Sequence, residues 1–197
     1  MASLLDKNKI SASNEINLME ELNSLVDDST ISDELIRCFW SAVKLNKNKF
    51  TNGNVLLTGS TGFVGAFILQ KLLQTQVNIF CLIRDSVDYE PLEKLEQTMK
   101  RYNISVGSSS SPFYSKVVIL KGDVTLEQFG MPGDDYEAIC FDIDYVIHAA
   151  AQVNLSYPFG ALYKNNVIGT KNIIQFCMDG KIKPLHYIRN FLFEENK

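Results

Sequence analysis

The sequence predicts an α/β fold, a doubly wound parallel sheet that is incomplete at its C-terminal side. Three observations predict it. Val55-Leu56-Leu57 is a short continuous apolar run, the pattern of a strand buried on both faces. Gly59, Gly62 and Gly65 follow at spacing three, and an apolar helical period carrying Val64, Phe67, Ile68, Lys71 and Leu72 comes next. Strand-like and helix-like runs then alternate as far as Ile188, as crossover units of a parallel sheet require.

The strand–glycine turn–helix context is what gives the glycines meaning. Gly59 lets the chain reverse on leaving the strand, because glycine tolerates positive φ. Gly62 leaves backbone amides at the helix start open to a pyrophosphate, whose negative charge the helix dipole favours. Gly65 lets the helix lie close to the strand. The sequence therefore predicts a Rossmann-like nucleotide site in preference to an ordinary tight turn.

The remaining composition narrows the class. The 197 residues are read as a segment of helices and linker over 1–50 and one nucleotide-binding domain over 51–197. A net charge of −4 and a pI near 5.2 supply no basic field, so a nucleic-acid partner is not expected. No apolar run approaches the roughly 18 residues of a membrane span, and Met1–Ile10 lacks the apolar core of a signal peptide. Cys38, Cys81, Cys140 and Cys177 lie far apart without metal-ligand spacing and are read as buried thiols of a cytoplasmic protein.

Taken in order, Met1 to about Asn14 is polar and aperiodic and is expected to be disordered. Glu15–Val26 and Ser32–Leu45 are expected helices, the second with Leu35, Ile36, Phe39, Trp40 and Val43 on one face and Trp40 docking on the core. Val77–Ile83 is the second strand. It ends at Arg84, where no acidic residue stands to take a ribose 2′-hydroxyl; an arginine there suits a 2′-phosphate and favours NADP(H), although Asp85 can neutralise it. Pro91–Tyr102 is a helix, with proline suited to its first turn. Gly107–Pro112 is a flexible loop, and Lys116–Leu120 the third strand.

Asp123 is placed either to accept a hydrogen bond from an adenine amino group or to cap its own turn; the first is favoured. Asp135–Phe141 is a short helix and Tyr145–Ile147 the fourth strand. The small residues Ala149, Ala150 and Ala151 at its carboxyl end allow a ligand to approach the backbone, where open α/β sheets bind. His148 is tempting as an acid or base, but a satisfied, partly buried histidine is the favoured reading. Tyr163–Met178 is a long helix stopping at Asp179-Gly180, and Leu185–Ile188 is a fifth strand.

Thr58-Gly59-Ser60-Thr61-Gly62-Phe63-Val64-Gly65 resembles the fingerprint of the extended short-chain dehydrogenase/reductase superfamily. With Cys81–Arg84, Lys121–Val124, Val146–Asn154 and Asn166–Thr170, the chain resembles the thioester reductase domain that ends many polyketide synthases and nonribosomal peptide synthetases. Fatty acyl-CoA and aminoadipate reductases are relatives of that domain, and Phe129-Gly130-Met131 looks most like its polyketide synthase version. The resemblance covers about Gly53 to Ile188. It implies NADPH as the reductant of an acyl thioester held on the phosphopantetheine arm of an acyl carrier protein, with aldehyde or alcohol as product. It also implies roles: Thr58, Gly59, Ser60, Thr61, Gly62, Phe63, Val64 and Gly65 around the pyrophosphate, and Arg84 at the 2′-phosphate. Asp123 and Val124 would face the adenine, Ala149, Ala150 and Ala151 the ribose and nicotinamide, and Asn166 would support the site.

The catalytic pattern of that family is not matched. The family strand continues into Ser-Thr, where this chain has Arg189-Asn190 after His186-Tyr187-Ile188. The family acid is the tyrosine of Tyr-x-x-x-Lys, its pKa lowered by the lysine. None of the eight tyrosines here has a lysine four residues later. No catalytic residue is therefore assigned, and the chain is expected to be a truncated, marginally stable domain that is inactive alone. The alternatives are a non-catalytic NADP-binding or regulatory module, and a small reductase using His148 or Tyr187 as acid.

Overall fold

Each apolar run becomes a strand because both of its faces find a cover. A computed structural model of the chain describes residues 52–154 and 156–188, all within one compact unit, Asn46–Lys197. The readings made for Met1–Leu45, including both helices and Trp40, lie outside the described residues, as does Arg189–Lys197. The strands are β1 (Asn54–Thr58), β2 (Asn78–Ile83), β3 (Val117–Lys121), β4 (Tyr145–His148) and β5 (Leu185–Tyr187). They form one sheet in the order β3-β2-β1-β4-β5, and every neighbouring pair is parallel. The order reverses between β1 and β4, which opens a crevice beyond the carboxyl ends of those strands.

Side-chain alternation along β1 feeds two cores. Val55 and Leu57 join Ile79, Cys81, Leu95, Met99 and Phe113 on one face, beneath α1 (Phe63–Leu72) and α2 (Pro91–Arg101). Leu56 points the other way, to Val146, Tyr136, Ile139, Ile173 and Phe176, beneath α4 (Gly133–Asp142) and α6 (Gly169–Met178). The doubly wound architecture expected from the sequence is thus the one observed.

Three local readings are corrected. The stripe Val64-Phe67-Ile68-Lys71-Leu72 does not define the buried face of α1, which is Gly65, Ala66, Leu69 and Leu72. A Cβ on Gly65 would lie 2.0 Å from the Gly59 carbonyl oxygen, so this residue must face the turn. That rotation carries Val64 and Phe67 outward, where Phe67 and Phe63 pack against Tyr102. The loop from Gly107 ends at a short helix, α3 (Pro112–Lys116), held by the buried ring of Phe113, so the third strand begins at Val117 and not at Lys116. The long helix starts earlier than Tyr163: α5 (Phe159–Tyr163) runs through a π-helical segment, Lys164–Ile168, into α6.

The end of α6 is held by a buried lysine. Lys183 is fully buried, and its Nζ donates to the carbonyls of Phe176 at 2.9 Å, Asp179 at 2.6 Å and Lys181 at 2.9 Å, lying 4.5 Å from the Phe176 ring centroid. Burial pulls its pKa below the ordinary lysine range. The ammonium spends its three donors on two carbonyls at the helix end, Phe176 and Asp179, and one in the turn that follows, Lys181. Lys183→Met is expected to strand those acceptors and destabilise the domain by about 2 kcal/mol. Urea denaturation measures this, and an unchanged midpoint would refute the role.

Candidate functional site

The crevice is built on the glycine turn. Gly59 adopts φ +74°, and a Cβ there would lie 2.6 Å from the Ala149 carbonyl group and the Ala150 nitrogen, so only glycine lets the two loops touch. The Gly62 amide donates to the Gly59 carbonyl at 2.9 Å, closing the turn and starting α1 at Phe63. Across the crevice, Thr58 Oγ1 accepts from the Ala150 amide at 3.3 Å and pairs with His148 Nδ1 at 2.7 Å.

These contacts enclose a cavity of about 590 Å³, within the usual size of a nucleotide or cofactor site. Of the residues singled out in the sequence, Thr58, Gly59, Thr61, Gly62, Arg84, Val124, Ala149, Ala150 and Ala151 line it. The other expected residues lie around it. Ser60 is buried under the turn, and Gly65 lies against the Gly59 carbonyl. Phe63 and Val64 start the helix with their side chains on its outer, exposed face.

Asp123 and Asn166 act on backbone. Asp123 Oδ1 accepts the Thr125 amide at 2.9 Å, which is the turn-capping role held open for it. Asn166 accepts from the Gln152 amide at 2.8 Å and donates to the Gln152 carbonyl at 3.0 Å, fastening the loop after β4 to the π-helical segment. His148 is fully buried between Thr58 and Thr170, with Nε2 3.3 Å from Thr170 Oγ1 and its ring stacked on Tyr187. Burial lowers its pKa to about 4. It is the satisfied histidine, and both ring nitrogens are engaged.

The charge in the cavity sits at the end of β2. Asp85 lies 3.8 Å from Lys121, which is also paired with Glu90 at 2.9 Å, so its carboxylate has a cation other than Arg84. Lys94 lines the cavity as well and donates to the Arg84 carbonyl at 3.4 Å, adding a second cation beside Arg84. Lys94 escaped the sequence reading, as did Gln152 and Asn165. The first sits in a helix of many charges, and the other two are ordinary polar residues until the fold joins them. The thiols of Cys81, Cys140 and Cys177 are free and buried, and burial pushes Cys81 up to about 12; Cys38 lies outside the described residues.

A glycine turn at a helix start, on the switch point of a parallel sheet, with cations at the end of β2, defines a dinucleotide-binding domain of the Rossmann type. The chain belongs to the NAD-binding family described as male sterility protein, whose model matches residues 57–196. It is 37% identical over 134 residues to a linear gramicidin synthase of Brevibacillus parabrevis, covering 68% of this chain and 3% of that protein. Among solved structures, it is similar to the terminal R domain of the myxalamid PKS-NRPS pathway, with a TM-score of 0.66 and 26% identity over 83% of this chain and 40% of that one. It is also similar to an archaeal thiolation-reductase di-domain of a nonribosomal peptide synthetase, with a TM-score of 0.56 and 28% identity over 78% of this chain and 31% of that one. The chain therefore spans well under half the length of each. Among the described residues, no helix is long and apolar enough to cross a membrane.

Proposed function

We propose that this chain is the NADP(H)-binding portion of a thioester reductase that acts on an acyl group carried by a thiolation domain. The observation that carries the reading is the cavity at the switch point, with the glycine turn at one end and Arg84 and Lys94 at the other. The backbone of Thr58–Gly62 holds the pyrophosphate, Arg84 and Lys94 the ribose 2′-phosphate, Val124 the adenine, and Ala149–Ala151 the ribose and nicotinamide. Asn166 keeps the last loop in place through the Gln152 backbone. Held there in a complete reductase, the dinucleotide would supply a hydride for a thioester carbonyl.

The reductase assignment draws on family membership and on the likeness to the thiolation-reductase di-domain, whose name places a carrier beside the reductase. His148 contributes no proton in this reading, since Thr58 and Thr170 occupy its ring nitrogens. With no Tyr-x-x-x-Lys among the 197 residues, the chain alone is expected to bind NADPH without oxidising it when an acyl thioester is added. Absorbance at the reduced nicotinamide band follows this directly, and turnover by the purified chain would overturn it. Arg84→Ala is expected to weaken NADPH binding about thirtyfold while leaving NADH nearly unchanged, as loss of a charge-assisted phosphate contact should. Calorimetric titration with both dinucleotides tests it, and equal losses for the two would refute the 2′-phosphate role.

A further inference from the structure

The cavity carries a side-chain relay that spans it, and its central member has no role in the reading above. Asn165 lies in the π-helical segment beside Asn166, and the wide turn aims both amides at Gln152. Asn165 Nδ2 donates to Gln152 Oε1, which spends its nitrogen on that side. Its Oδ1 is left facing the end of β2, where Arg84 Nη1 donates to it at 3.4 Å. Gln152, Asn165 and Arg84 all line the cavity, so the relay runs from the loop after β4 to the charged end of β2. Gln152 is itself anchored through its backbone by both polar atoms of the Asn166 amide.

The chemistry of the acceptor decides what this relay can do. A neutral amide oxygen at 3.4 Å orients a guanidinium weakly and leaves its charge unsatisfied. A carboxylate in the same place would pair with the guanidinium and repel an incoming phosphate. Asp85, the carboxylate nearest in sequence, lies by Lys121 instead. The side chain that holds the Arg84 guanidinium is therefore an acceptor that a dianion can displace. An exposed arginine also has much rotamer freedom to lose on binding, and a pre-set direction reduces that loss.

We infer that Asn165 is a positioning residue that sets the discrimination between phosphorylated and unphosphorylated dinucleotides, acting through Arg84. The inference rests on the reading of Arg84 as the 2′-phosphate ligand. Asn165 touches no reacting atom in it.

The test is titration of the full chain and of N165A, N165D, R84A and R84A/N165D with NADPH and with NADH. N165D is expected to bind NADPH about tenfold more weakly, because the new carboxylate competes for Arg84 and repels the phosphate. N165A is expected to lose about threefold, the effect of releasing an exposed arginine. NADH affinity should stay within about twofold of wild type in both, which also reports an intact cavity. In the R84A background, the aspartate should lose the part of its selectivity effect that runs through Arg84 and keep only the direct repulsion of the phosphate, so its effect there should be smaller than in wild type. Equal losses for NADPH and NADH in N165D and N165A would overturn the inference, because a merely structural residue acts that way. If R84A weakens NADPH but the Asn165 variants do not, this inference alone falls. If R84A itself leaves NADPH unaffected, the reading on which it rests falls with it.

Discussion

Replacing Gly65 with alanine is expected to destabilise the domain by roughly 3 kcal/mol or more and to abolish dinucleotide binding. The added Cβ would lie 2.0 Å from the Gly59 carbonyl oxygen and 2.6 Å from its carbon, far inside the roughly 3.5 Å of ordinary carbon contacts. Those atoms are backbone of a turn already pinned by Ala149 and Ala150, so they cannot rotate away as a side chain would. The helix must therefore lift off the turn by more than an ångström, which separates its amino end from the cavity. Urea denaturation of G65A with NADPH titration checks both parts. A variant that unfolds at the wild-type midpoint and binds NADPH normally would show that the turn yields more easily than its packing implies. Gly133, where an added Cβ meets nothing within 4 Å, is the matched control: G133A should be close to neutral.

The second large effect is a loss of stability in mild acid. His148 has an ordinary pKa of 6.5 that burial lowers to about 4 in the folded domain. Between those values the unfolded chain binds a proton that the folded one refuses, so stability falls as pH falls from about 6.5 to 4 and is complete above that window. A difference of that size corresponds to about 3 kcal/mol. The groups packed on the ring are Thr58, Thr170 and Tyr187, none of which is charged in this range, so nothing there compensates the imidazolium. His186, also lowered by burial, adds a change of the same sign. Burial alone would raise the Asp144 carboxyl, but its Lys181 and Asn54 partners hold it below the ordinary carboxylate range, so its contribution has the same sign and acts at lower pH. Denaturation midpoints from pH 7.5 to 4 should therefore drop steeply in the wild type and less in H148N. A flat wild-type profile would contradict the buried neutral imidazole.

Arg84 and Asn165 show how far each level of description reaches. Arg84 is legible in a sequence because its place follows from counting: it ends the strand after the glycine helix, and no carboxylate precedes it. Asn165 has no such address. Its place beside Arg84 depends on the π-helical turn, on the length of β2 and on the crossing of two segments 81 residues apart. Lys94 is similar, a single cation among the charges of α2 until that helix is laid beside the end of β2.

The strands, their parallel arrangement, the glycine turn and most of the cavity wall could all be read from the order of the amino acids. Those features rest on local rules: continuous apolar runs for buried strands, glycine where backbone must meet backbone, and small residues at a strand's carboxyl end. The buried face of α1 followed only from the assembled fold. The apolar stripe Val64-Phe67-Ile68 satisfied the helical period, yet Gly65 must meet the Gly59 carbonyl, and steric exclusion by one backbone oxygen leaves Val64 and Phe67 exposed while Ile68 stays partly against the core. Packing likewise supplied the partners of His148, whose ring lies between Thr58 and Thr170 as the satisfied histidine the sequence favoured, because only the fold brings those hydroxyls to it. Periodicity reports what a segment can bury, whereas the packing of one backbone on another fixes what it does bury.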